Sequence, residues 1–144
     1  MPKMPELALI VATAFVLAAC GSSDDGGSGA SGASAPTSDR PSSTAKLAIV
    51  APKVGEVVQG SSVDLRVKLQ DAKLVPATTT HIVPDEGHLH VILDDTLISM
   101  TEGLEQTIPD VPPGEHRIMV EFVASDHAPF DPRVVSVVAF EVKP

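Results

Sequence analysis

The strongest periodic signal in this chain is alternation at every second residue. Over 62–70, Val63, Leu65, Val67 and Leu69 are separated by Asp64, Arg66 and Lys68, which puts one set on a buried sheet face and the other in water. Over 87–93, Leu89, Val91 and Leu93 alternate with His88, His90 and Ile92. Over 115–124, His116, Ile118, Val120 and Phe122 share one inward face. Shorter β-branched runs at 46–50, 57–58, 96–100 and 104–108 fill the remainder, with Pro52, Gly60, Asp94-Asp95 and the Pro/Gly-rich segment 109–114 as breaks. The last run, 134–142, is apolar at nearly every position (Val134, Val135, Val137, Val138, Phe140, Val142), which predicts a strand covered on both faces.

About seven strands at this spacing, with no strand–helix alternation, predict an all-β domain: an antiparallel, immunoglobulin-like Greek-key sandwich. A cupredoxin-like barrel fits the same pattern. In the sandwich, 62–70 is the second strand of the fold, 87–93 the third, and 115–124 and 134–142 the last two. The third strand and the penultimate one are then antiparallel neighbours.

The N-terminal part is of another kind. Residues 1–19 carry one basic residue, Lys3, then an apolar run from Leu7 to Ala19 that is short for a membrane span. Leu17-Ala18-Ala19-Cys20 resembles the lipobox of bacterial lipoproteins, in which the cysteine is lipidated and becomes the new N-terminus. Cys20 is the sole cysteine, so the chain has no disulfide of its own and cannot build a blue-copper centre, which needs a thiolate. Residues 20–45 are the expected lipidated cysteine and a flexible Gly/Ser/Ala/Asp/Pro linker, whose composition cannot bury enough surface to become ordered; it reaches roughly 25–30 Å. Residues 46–144 are expected to form one domain. The protein is therefore expected on a cell membrane or outer membrane, lipid-anchored and facing outside the cytoplasm.

A formal net charge of −9 argues against a nucleic-acid partner, and four phenylalanines with no tryptophan or tyrosine leave little for a carbohydrate-stacking site. There is no nucleophile motif, catalytic cysteine or phosphate-binding loop, so an enzyme is not expected.

The candidate chemistry lies in five histidines. His88 and His90 point to one side of their strand, roughly 6–7 Å apart along it. Strand pairing brings them to the loop Ser125-Asp126-His127-Ala128-Pro129, and His81 opens at the same end. Imidazoles with a carboxylate suit Zn²⁺ or Cu²⁺. His88, His90, His127 and Asp126 are the expected ligands, with Asp126 alternatively holding an imidazole from behind. His81 and His116 are further candidates. His116 starts its strand about 25 Å from the others and reads more simply as a corner residue bonded to nearby backbone. The opposing view is that all five are structural or solvated, and that the working surface is the outward side of 134–142, through which the chain could self-associate. Met100 and Met119 are either packing residues or soft ligands for Cu(I).

Taken together, Gly87-His88-x-His90-x-x-x-Asp94, Pro113-Gly114-x-His116 and Asp126-His127-x-Pro129 resemble a group of small exported bacterial domains of unknown function in which these three motifs recur in order. The resemblance implies a single all-β domain and marks His88, His90, His116 and His127 as parts of one pattern. It carries no activity.

Overall fold

The computed structural model describes residues 39–77 and 81–144; the expected signal segment, Cys20 and most of the linker lie outside them. Among the described residues there are nine strands: β1 (Lys46–Ala51), β2 (Val57–Gln59), β3 (Val63–Gln70), β4 (Lys73–Leu74), β5 (Glu86–Leu93), β6 (Thr96–Thr101), β7 (Glu105–Ile108), β8 (Gly114–Ala124) and β9 (Pro129–Lys143). They form an immunoglobulin-like sandwich. One sheet has the order β1-β3-β7. The other runs β2-β9-β8-β5, and both β4 and β6 pair with the remaining edge of β5.

The alternating patterns fold as read. Val63, Leu65 and Val67 of β3 meet Leu89 and Val91 of β5 and Ile118, Val120 and Phe122 of β8 in a single core. Each such side chain, once buried, contributes about 1.5–3 kcal/mol by leaving water. Phe122 and Phe130 stack with ring centroids 5.3 Å apart, anchoring the start of β9 against the end of β8. The hairpin Leu93-Asp94-Asp95-Thr96 has positive φ at both central residues (45° and 66°), the two-residue turn whose twist suits a β-hairpin.

Two details differ from the reading of the sequence. The short piece at 57–59 does pair, but in parallel with the end of β9. Strand β9 is not covered on both faces: Val134, Val138, Phe140 and Val142 pack inward or against the core, whereas Val135 is 42% and Val137 49% exposed. The outer face of this sheet has no layer over it at β9, so the apolar residues there remain in water.

The pairing that positions the histidines is β5 against β8. Gly87 lies opposite Ala124, His88 opposite Val123 and His90 opposite Glu121. Because Leu89 and Val91 point into the core, His88 and His90 lie on the outer face, at the end of β8 where the chain turns into β9.

Candidate metal centre

Three imidazoles meet on this outer face. The Nε2 atom of His88 lies 3.1 Å from Nε2 of His90 and 3.2 Å from Nδ1 of His127, and one ring nitrogen from each of the three falls within 4.8 Å of the others. Nitrogens bound to one tetrahedral ion through bonds of about 2.0–2.1 Å sit ~3.3 Å apart. The cluster therefore has the spacing of a ligand set.

Each residue is placed by its element. His88 and His90 follow from the two-residue period of β5. Gly87 lets the strand reach this position: a Cβ there would stand 1.9 Å from the carbonyl oxygen of Val123, a backbone atom that cannot move aside. Any other residue would push β5 away from β8 at the site itself. His127 sits in the turn between β8 and β9, closed by hydrogen bonds from the His127 amide to the Ala124 carbonyl and from the Ala124 amide to the Ala128 carbonyl. Its φ is +64°, a left-handed conformation that costs a non-glycine residue about 1–2 kcal/mol. Turns of this kind ordinarily place glycine there. In that conformation its ring joins the cluster, with Nδ1 toward Nε2 of His88.

Electrostatics favour the neutral, metal-ready form. His88 is 1% exposed. Burial first, and then the neighbouring His90 and His127, push its pKa down to about 4, against a weaker pull from Glu102. Burial and His127 lower that of His90 as well, opposed by Glu121. The other nitrogen of His88, Nδ1, is buried without a hydrogen-bond partner. An unpaired buried polar group costs about 1–3 kcal/mol, a cost that the fold carries at this position.

Other expected participants are elsewhere. Asp126 does not turn its carboxylate to the cluster: Arg40 takes both oxygens, at 2.6 and 3.0 Å, and the Ala128 amide donates to one of them. The guanidinium holds the Asp126 carboxyl below its usual range. Its charge is met by Arg40, and it is not in the converging group of three. His81 lies at the same pole, its carbonyl accepting a hydrogen bond from Ser125 Oγ at 3.0 Å, but its ring is not in the converging group. His116 stands at the opposite end of β8. Its Nε2 reaches the carbonyl oxygen of Pro112 at 2.7 Å, the backbone bond expected of it, and its Nδ1 reaches Asp94 Oδ2 at 2.6 Å. Asp94 Oδ1 also accepts from the Arg117 amide at 2.8 Å, so this corner ties the β5–β6 turn to β8.

Two contributors escaped the sequence reading. Arg40, inside the segment read as linker, donates to Asp126 and to the carbonyls of Ala128 and Pro129. Together with the Asp131 amide bonded to the Pro41 carbonyl, and Ser43 and Thr44 bonded to Asp85, it laces residues 40–44 to both loops that frame the cluster. Its one signal was a lone arginine among small polar residues. Glu121, directly across from His90, is almost fully buried and paired with Arg133 through two contacts of 2.6 Å. A charged residue between Val120 and Phe122 marked it as outward-facing, but its position beside His90 required the register.

No protein-family model matches the chain, and no curated protein matches it. Among solved structures, it is similar to a fibronectin(III)-like module of Clostridium thermocellum CbhA (22% identity, TM-score 0.47, covering 67% of this chain and 94% of that one). It is also similar to the PKD domain of human KIAA0319 (17% identity, TM-score 0.43, covering 83% and 93%). A third likeness is to the endo-beta-1,4-mannanase of Thermotoga petrophila (16% identity, TM-score 0.46), where the match covers 69% of this chain but 20% of the enzyme. Among the described residues, no helix is long and apolar enough to cross a membrane.

Proposed function

We propose that this protein is a lipid-anchored, extracytoplasmic β-sandwich module that binds one transition-metal ion, copper or zinc, through His88, His90 and His127. The convergence of three imidazole nitrogens about His88 Nε2, at 3.1 and 3.2 Å, carries the reading. The anchor rests on Leu17-Ala18-Ala19-Cys20. The role is binding rather than catalysis. Asp126 and Glu121, the carboxylates nearest the cluster in sequence and register, are both held by arginines, so neither is a free general base.

Calorimetric titration of the full chain in detergent with Zn²⁺ and Cu²⁺ tests the site. The expected result is one-to-one binding at or below about micromolar, abolished by the double substitution His88→Ala, His90→Ala with the fold retained. Unchanged affinity in the double variant sinks the proposal. Cys20→Ala should abolish incorporation of labelled fatty acid into the protein, and labelling that persists in this variant sinks the anchor assignment.

A second reading is favoured by the exposed Val135 and Val137 on β9, next to the half-buried Met119. Such a patch fits an association surface, including self-association. Sedimentation equilibrium distinguishes the cases: an oligomer dissociated by Val137→Asp supports this second role, and a monomer at all concentrations removes self-association.

A further inference from the structure

The three histidines leave one side of the cluster unspent, and the sheet register says what lies there. On the β8 side, His90 faces Glu121, which Arg133 occupies, and the turn bearing His127 closes over His88. The remaining side faces β6. There Met100 is the direct cross-strand partner of His90, so both side chains leave the same face of the sheet with their Cβ atoms about 4.5–5.5 Å apart. Glu102, two residues on, is close enough to His88 to act on its charge. Met100 and Glu102 are therefore the side chains on that side that could add a fourth ligand to a metal held by the histidines.

The two would select different ions, and the register favours Met100, the direct partner of His90, over Glu102, which lies past the end of β6. Three neutral imidazoles carry no charge, and the two carboxylates nearest by register and sequence, Glu121 and Asp126, are each neutralised by an arginine. A dication is best served by an anionic ligand, whereas a soft monocation is satisfied by neutral nitrogen and thioether donors. Met100 is 53% exposed, so its thioether is not committed to the core. We propose that Met100 supplies a thioether as fourth ligand and that the ion bound in preference is Cu(I). This rests on the three-histidine reading above and goes further in naming the ion and the ligand.

The test is a competition titration of the full chain in detergent under anaerobic, reducing conditions, with Cu(I) delivered from a coloured bidentate Cu(I) chelator. Copper K-edge absorption of the loaded protein accompanies it. Met100→Leu should weaken Cu(I) binding by about tenfold or more and remove a sulfur scatterer present in the wild type, while Met119→Leu and Glu102→Gln leave both unchanged. Wild-type affinity in Met100→Leu, with scattering from nitrogen and oxygen alone, overturns the role of Met100. So does a larger loss in Glu102→Gln than in Met100→Leu. In both cases loss of binding on replacing His88 and His90 keeps the three-histidine site standing. Binding that survives the double histidine substitution overturns both.

Discussion

His88 and His116 are both nearly enclosed, and β8 connects them: one lies opposite its end, the other near its start. They are equipped in opposite ways. Each nitrogen of His116 faces an oxygen acceptor, the Asp94 carboxylate and the Pro112 carbonyl, and an imidazole can satisfy two acceptors only by carrying both protons. Burial alone would lower its pKa, but these two partners outweigh burial and raise it. His88 meets other imidazoles at one nitrogen and nothing at the other, and its pKa is driven down. One end of the strand holds a charged brace that fastens a turn. The other holds a cluster in which burial favours the neutral forms of His88 and His90. A brace should matter to stability and not to metal, and a ligand set the reverse.

The largest expected effect is therefore His116→Ala. It removes a charge-assisted bond and a backbone bond and leaves the Asp94 carboxylate without its buried partner, a loss of roughly 3 kcal/mol. In a domain of this size that lowers Tm by about 12–24 °C, readable by thermal denaturation, with metal affinity unchanged. A parallel loss of metal binding would show that the two ends of β8 are coupled after all.

Next in size is stabilisation by the metal itself. A ligand at a hundred times its Kd adds about 2.7 kcal/mol to the folded state. Saturating metal should raise Tm in the wild type and in His116→Ala by similar free energies, and leave the His88→Ala, His90→Ala variant where it was. A smaller effect, opposite in sign to that of His116→Ala, is expected for His88→Leu. Leucine fills similar space without an orphaned nitrogen, so the apo protein should be stabilised by about 1 kcal/mol while metal binding is lost. Destabilisation instead would mean that the contacts of His88 with His90 and His127 hold the turn together without a metal.

The contrast was partly legible in the amino-acid order. Alternation along 62–70, 87–93 and 115–124 was enough for the sandwich and the faces of His88, His90 and His116, because a period of two leaves little choice once one side is apolar. Pairing of 87–93 with 115–124 then placed His127 near His88 and His90 and kept His116 apart. The pairing partners of charges were not legible. Nothing in Asp126-His127 says that the aspartate turns away, because its partner, Arg40, lies 86 residues earlier in a stretch whose composition reads as unstructured. The motif that groups His88, His90, His116 and His127 likewise mixes two roles: Asp94 and His116 belong to the brace, and Gly87 is there for backbone clearance beside the cluster. Strand β9 misled because its apolar residues occupy both faces and only one of them is covered.

The smallest expected effect is the pH dependence of the brace, and its shape is what distinguishes the two ends. The pKa of His116 is raised in the folded state, so its contribution is complete below its unfolded value of about 6.5 and fades as pH rises through the folded one. Burial pulls the Asp94 pKa upward, but His116 and the Arg117 amide outweigh it and the net shift is downward. Its contribution is thus complete above about 3.9 and is lost as pH falls through the folded value. The pair acts together only between those limits, which places its greatest stabilisation in mildly acid solution. Because the Asp94 side chain is 47% exposed, water screens the interaction and the slope should be shallow. Denaturant unfolding from pH 4 to 9 should show stability falling through neutral and mildly alkaline pH, and Asp94→Asn should flatten that fall while leaving Cu(I) and Zn²⁺ binding intact. Should the fall persist in Asp94→Asn and vanish in His88→Leu, the titrating histidine would lie in the cluster, and the assignment of charged brace and neutral ligand set to opposite ends of β8 would have to be reversed.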